Sequence, residues 1–259
     1  MSKNGSELAT RLGVAFILIG LAFAALYSGG LGFWLVVSVA GVLMMGEWAL
    51  LAGASDKGKR LAQYAISVPL AAMAPGLAAG PGFLALGLIL GAFCFLMIIT
   101  RGLQLALGAF YVGLPILALV LLREQPEQGL LLTFWAMALV WACDSAAYFA
   151  GRAIGGPKLA PAISPNKTWA GFLGGVGGAT LFAFALVWLF DLPIALAWAT
   201  PVLGVLSQLG DLFESHLKRA AGVKDSGNLL PGHGGVLDRL DGLVTVAPVA
   251  ALLVLWLAR

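Results

Sequence analysis

The chain has 259 residues, of which 61% are hydrophobic and 10% charged, with a formal net charge of +3 and a mean hydropathy of +0.98. A soluble domain carries about 25% charged residues, so that class is excluded, and so small a net charge does not suggest a nucleic-acid partner. The two cysteines, Cys94 and Cys143, fall inside apolar runs without metal-ligand spacing and read as apolar residues rather than a disulfide.

Apolar runs long enough to cross a bilayer recur from end to end, which predicts an all-α, polytopic transmembrane helical bundle of about nine spans. The expected spans are 12–28, 32–54, 61–79, 82–100, 103–122, 130–150, 170–190, 193–213 and 240–258. The first follows Lys3 and Arg11, but its apolar run is longer than a signal peptide's and no small-residue cleavage site follows, so it reads as a retained anchor. Spans one to five carry almost no buried charge apart from Glu47. Residues 1–125 are therefore read as a packing and dimerisation module, with Glu47 an interhelical hydrogen-bonding group beside Trp48. Pro69, Pro115 and Pro248 lie inside spans, and G-G-V-G-G at 174–178 permits the closest helix approach.

Nine spans put the N-terminus and the 2–3, 4–5, 6–7 and 8–9 connections on one side. That side would hold 13 of the 15 basic residues, leaving Arg123 and Arg259 on the other. Such a bias orients the N-terminus and the long loops to the cytoplasm. It also sets the 151–169 and 214–239 loops of a C-terminal catalytic module, 126–259, on the same face.

The ionisable residues gather in that module. Ser207, Asp211, Glu214, Ser215 and Lys218 fall at offsets 0, 4, 7, 8 and 11, one face of a helix, as span eight ends. A helix end emerging among headgroups would account for Glu214 and Lys218 but less well for Asp211, which follows a long apolar stretch. Asp238 and Asp241, one turn apart, would complement the dipole at the start of span nine. Opposed to Asp211, they would also supply the oxygen ligands Mg2+ prefers. Asp144, with Tyr148 one turn later, is a fourth acid expected to be buried in a span, a functional candidate by default.

The segment K-D-S-G-N-L-L-P-G-H-G-G, 224–235, joins spans eight and nine. With Lys218, Arg219, Lys224 and Arg239 around it, it reads as a polyphosphate cradle in which Gly232, Gly234 and Gly235 let backbone approach an anion. His233 would donate to a phosphate or cap loop backbone; His216, off the stripe, would face the headgroups. In the 151–169 loop, Arg152, Lys158, Ser164, Asn166, Lys167 and Thr168 are either topogenic or ligand-binding. The proline-stiffened I-S-P-N-K-T favours binding.

The run S-H-L-K-R-A-A-G-V-K-D-S-G-N-L-L-P-G-H-G-G-V-L-D-R-L-D at 215–241 resembles the signature of phosphatidate cytidylyltransferases. D-S-A-A-Y at 144–148, K-L-A-P-A-I-S-P-N-K-T-W at 158–169 and S-Q-L-G-D-L at 207–212 are similar to that family's other runs. Members usually follow the last tryptophan of the second run with Glu-Gly; here Trp169 is followed by Ala170 and Gly171.

The resemblance implies transfer of CMP from CTP to phosphatidic acid, with Mg2+ and room for a second cation, in an inner (plasma) membrane homodimer. It implies Asp211, Asp238 and Asp241 at the metal with Asp144 as a further ligand or neighbour. Lys158, Lys167, Lys218, Arg219 and Arg239 would hold the triphosphate and the lipid phosphate. His233, Lys224 and the loop glycines would line the phosphates, while Ser164, Asn166 and Thr168 would contact nucleotide.

Three rivals fit less well. A CDP-alcohol phosphatidyltransferase wants D-G-x-x-A-R, whereas D-G at 241–242 runs into L-V-T-V. A CTP-dependent lipid kinase resembles the C-terminal region but not the complete signature. An ion-coupled transporter predicts symmetric halves, and no internal repeat is present.

Overall fold

The computed structural model describes the backbone of residues 3–258 and the side chains of 12–258. Lys3, Arg11 and Arg259, used in the charge argument, have side chains outside the described residues. Nine helices stand among the described residues: α1 Lys3–Ser28, α2 Gly30–Leu51, α3 Asp56–Ala72, α4 Phe83–Thr100, α5 Leu103–Arg123, α6 Gly129–Ile154, α7 Trp169–Phe190, α8 Ile194–Ala220 and α9 Leu237–Leu257. The fold is nearly all-α, as expected. The exception is a two-stranded antiparallel hairpin, β1 Lys158–Ala160 and β2 Ser164–Thr168, which pairs Lys158 with Thr168 and Ala160 with Ser164.

Seven helices, α2 and α4 to α9, are long and apolar enough to cross a membrane. The third expected span is displaced: α3 is 17 residues, covers 56–72 rather than 61–79, and opens on Asp56, Lys57, Lys59 and Arg60. Local chemistry sets those bounds. Ser55 caps the start by accepting from the Gly58 N–H, and Pro75 followed by Gly76, at φ +70°, stops continuation. The eighth helix runs two turns past its expected end at 213, which carries Glu214 and Lys218 along on regular helix.

Helices α2 to α5 pack on one another, α6 to α9 do likewise, and α5 lies against α9, so that one apolar core runs through both groups. Sparse hydrogen bonds cross it: Trp135 Nε1 donates to Thr200 Oγ1, Gln208 Nε2 to the Phe172 carbonyl and Thr245 Oγ1 to the Leu206 carbonyl. Such bonds contribute on average about 0.6 kcal/mol each in membrane helices. Both cysteines are free.

Helices α6 and α7 approach closely along the expected small-residue stripe. A Cβ at Gly175 would stand 2.9 Å from the Cys143 carbonyl oxygen, so backbone meets backbone there. Gly175→Val is expected to force the pair apart at a cost of about 1–3 kcal/mol, read as a lower unfolding temperature in detergent. An unchanged temperature would mean that the contact has no weight.

The alternation of helix ends is visible in three long-range bonds. Arg123 Nε, at the end of α5, donates to the Leu26 carbonyl at the end of α1. At the opposite end, the last turn of α2 meets the connection between α8 and α9. The 5–6 connection thus lies beside the 1–2 connection, and the 8–9 beside the 2–3, as parity requires.

Candidate active site

The site begins with a crossing of α8 and α9. A Cβ on Gly210 would lie 2.7 Å from the Asp241 carbonyl oxygen, and one on Gly242 would lie 2.6 Å from Ser207 Oγ. Only glycines allow this approach, and each has an acid next to it in sequence. Asp211 and Asp241 are thereby brought within range of one another's charge, and Asp144 on α6 joins them. Asp144 is open to the surface rather than packed inside the bundle as its apolar flanks suggested. The space it faces is shared with Asp211, Lys167 and Arg239. Ser215 Oγ donates to Asp211 Oδ1 at 3.3 Å, and the Gly242 N–H to Asp241 Oδ1 at 2.7 Å.

The hairpin reaches into this cluster. Lys167 Nζ lies 2.5 Å from Asp211 Oδ2, so the 151–169 loop and the end of α8 meet in one place. Along β2 burial increases toward α7: Asn166 is exposed, Lys167 half-buried and Thr168 buried. Thr168 is turned to local structure, its hydroxyl accepting from the Gly171 N–H as the N-cap of α7. Lys158 and Asn166 are exposed and Ser164 is half-buried. Ala170 sits half-buried in the first turn of α7, which carries no acid. Arg152 lies outside the cluster and donates to the Tyr148 hydroxyl.

A second cluster lies beside the first. Lys218 Nζ is 2.6 Å from Asp238 Oδ1 and 3.2 Å from Glu214 Oε1. The other oxygen of Asp238 accepts from the Ser226 and Gly235 N–H groups, each at 2.8 Å, and from Ser226 Oγ at 3.0 Å. Both oxygens of Asp238 are therefore engaged by protein. Glu214 is fully buried, so the headgroup reading of it and of Lys218 is corrected: the 8–9 connection and the start of α9 cover them. Arg219 also works within the chain, donating to the Val223 carbonyl at 3.1 Å.

The 224–235 segment folds back on itself. Leu230 N–H donates to the Gly234 carbonyl and His233 N–H to that of Leu230, with Gly232 and Gly234 at φ +75° and +81°, which favour glycine. The Gly235 N–H is committed to Asp238 rather than open to an anion. His233 Nδ1 lies 3.4 Å from the Pro231 carbonyl, and His216 is exposed, off the stripe. Lys158, Lys224 and Arg239 make no ion pair among the described residues.

Three participants escaped the sequence reading. Ser226 is buried within the second cluster. Glu47, read as an interhelical group, is that and more, because its partners are all in the 8–9 connection and the start of α9. Tyr111 on α5 has a buried hydroxyl without a hydrogen-bond partner, within range of the charges of Glu214, Asp241 and Asp211. Its ring stacks on Trp48 at 4.5 Å and lies 5.8 Å from that of Phe213. These rings, with Leu107, Pro115 and Val244, line an apolar groove of about 330 Å3. Nothing in an apolar α5 marks Tyr111 by periodicity.

As the side chains stand, no three histidine, cysteine or acidic groups among the described residues converge as metal ligands. The donor chemistry of the first cluster still fits a hard divalent cation. Asp211, Asp241 and Asp144 offer carboxylate oxygens of the kind Mg2+ takes, with waters completing its shell. The Lys167 ammonium already places positive charge against Asp211. At Asp238, Oδ2 is taken by Ser226 and Gly235, while Oδ1 has Lys218 as its partner.

Residues 9–257 match the cytidylyltransferase family. The phosphatidate cytidylyltransferase of Brucella suis biovar 1 (strain 1330) is 41% identical over 255 residues, covering 93% of this chain and 91% of that protein. The phosphatidate cytidylyltransferase of Pseudomonas aeruginosa (strain PAO1) is 39% identical over 270 residues, covering 95% and 92%. The phosphatidate cytidylyltransferase of Bacillus subtilis (strain 168) is 47% identical over 147 residues, covering 56% and 55%.

Proposed function

The chain belongs to the cytidylyltransferase family, and from that premise we propose that it transfers CMP from CTP to phosphatidic acid. A phosphate oxygen of the lipid attacks the α-phosphorus of CTP in line, the bond to the β-phosphate oxygen breaks, and pyrophosphate leaves with CDP-diacylglycerol formed. No covalent enzyme intermediate is required, so the protein's task is to position two anions and offset their charge. The observation that carries this reading is the meeting of Lys167 with Asp211 beside Asp241 and Asp144. It brings a phosphate-seeking cation and a carboxylate cluster together at the end of membrane-length helices.

Asp211 and Asp241, with Asp144 beside them, would hold Mg2+, leaving room for a second cation. Mg2+ bound there would neutralise charge on the triphosphate and favour departure of pyrophosphate. Lys158, Lys224 and Arg239, which make no ion pair among the described residues, would hold phosphates together with Lys167, whose partner Asp211 belongs to the metal cluster. Lys218 and Arg219 are held by the α8–α9 connection and the end of α8. Ser164 and Asn166, on the same hairpin, would contact the nucleotide. His233 and Gly232, Gly234 and Gly235 would shape the loop against the phosphates.

The groove at Trp48, Tyr111 and Phe213 would take an acyl chain, leaving the lipid phosphate toward Glu214, Asp241 and Asp211, the acids whose charges reach Tyr111. The Tyr111 hydroxyl would reach the ester or phosphate oxygens. The same reading orients the N-terminus and the site toward the cytoplasm in the inner membrane, where CTP is available. It also includes a homodimer through the N-terminal helices; Phe16, Ile17, Phe83 and Ile98 leave apolar surface there for a second copy or lipid.

The direct test is release of pyrophosphate by purified protein supplied with labelled CTP, phosphatidic acid and Mg2+. Absence of labelled CDP-diacylglycerol would overturn the reading. Within it, Lys167→Ala is expected to raise KM for CTP roughly tenfold or more, the loss of one charge-assisted contact to phosphate. An unchanged CTP dependence would leave the hairpin with a topogenic role only.

A further inference from the structure

We propose that Glu47 is a positioning residue for this transfer, holding the loop between α8 and α9 in the shape that receives the triphosphate. The inference rests on the proposed function and adds to it a residue of the N-terminal half, far from every motif in the sequence.

Helix α9 starts without a cap of its own. Val236, at its N-cap position, has no side chain able to accept a hydrogen bond, so the first N–H groups of the helix need acceptors from elsewhere. Glu47 supplies them. Its Oε1 accepts from the Val236 N–H at 2.9 Å and its Oε2 from the Leu237 N–H at 2.7 Å, across 189 and 190 residues of sequence. A carboxylate at a helix N-terminus also gains from the dipole. Ser226 Oγ lies 3.0 Å from Oε2 and 3.0 Å from Asp238 Oδ2, its single proton shared between the two carboxylates. Glu47 is therefore bonded to both feet of the loop, Ser226 at one and Val236–Leu237 at the other.

Asp238 makes the complementary clasp from within α9 through Ser226 and Gly235. Residues 227–234 are thus an arch whose base is tied by two carboxylates. The fit is close: a Cβ on Gly227 would stand 2.9 Å from Glu47 Oε1. A consequence concerns the anion site itself. With the N–H groups of Ser226, Gly235, Val236 and Leu237 all engaged, triphosphate is left to the arch and to the lysines and arginine beside it.

The carboxylate matters more than side-chain volume. Glu47→Gln keeps the volume but turns an amide NH2 toward N–H donors, so at least one contact becomes donor against donor. The expected result is a KM for CTP raised roughly tenfold, with kcat and the KM for phosphatidic acid changed far less, because the loop is loosened where nucleotide docks. Hydrogen exchange of amides 226–237 should quicken in the same variant. Trp34→Phe is the control: it removes another interhelical bond of α2, to the Leu70 carbonyl, and should leave KM for CTP unchanged.

Should Glu47→Gln fail to accumulate, Ser226→Ala removes the hydroxyl shared with Glu47, and a smaller rise in KM for CTP is expected. An unaltered KM for CTP in the available variant, with wild-type turnover present, overturns the positioning role and leaves the proposed reaction standing. Wild-type protein without CTP-dependent turnover overturns the reaction instead. Exchange at 226–237 then decides alone whether Glu47 holds the loop, and unchanged exchange overturns that too.

Discussion

Asp211→Asn is expected to lower Mg2+-dependent pyrophosphate release from CTP and phosphatidic acid by about a hundredfold or more while the protein folds normally. The side chain is 31% exposed and its one ion pair is with Lys167 on the hairpin, so the substitution acts on a partly open cluster rather than on the apolar core. What it removes is one of the carboxylates gathered at the α8–α9 crossing, where metal and phosphate charge would have to be offset. Asparagine retains the shape and one acceptor oxygen, so packing against Ser215 is kept. Near-normal turnover in this variant would sink the assignment of the first cluster to the metal. Asp241→Asn, with its backbone set by the same crossing, is expected to follow it.

Lys218→Met should act on folding instead. Lys218 is the cation shared by Glu214 and Asp238, whose side chains are 0% and 4% exposed. Removing it leaves two buried carboxylates without their positive partner, and breaking a buried ion pair in this way costs about 3–5 kcal/mol. The measurement is the thermal unfolding temperature and the yield in detergent, compared with Asp211→Asn. A Lys218→Met protein as stable as the parent, but inactive, would mean that Lys218 serves substrate rather than the loop. Asp238→Asn should resemble Lys218→Met, because it breaks the same pair and weakens the hold on Ser226 and Gly235.

The contrast between these two substitutions follows from a division that spacing does not reveal. Asp211, Asp238 and Asp241 all belong to the motif runs at the end of α8 and the start of α9 and carry the same charge. Asp211 and Asp241 meet because Gly210 and Gly242 let two helices touch. Asp238, one turn before Asp241, is turned under the loop and held by one lysine, two N–H groups and a hydroxyl shared with Glu47. Lys167 and Lys218 differ in the same way: one reaches the open cluster from a hairpin, the other is enclosed between two acids. Arg219 and Thr168 belong to motif runs, yet the first fastens the end of α8 and the second caps α7.

Sequence alone determined the class of molecule, the number and approximate limits of its helices, and the family. Hydropathy, helix caps and motif residues are local properties, and a membrane leaves helices as the main way to satisfy backbone in an apolar run. It also placed most ionisable residues in the half that contains both clusters. Only the tertiary structure decided which acids stand together, that Glu214 is enclosed, that Tyr111 has a buried hydroxyl without a partner, and that Glu47 caps a helix almost 190 residues later. Those outcomes depend on where helices cross, and crossing is set by the summed fit of many small and apolar side chains, with no single residue announcing the result.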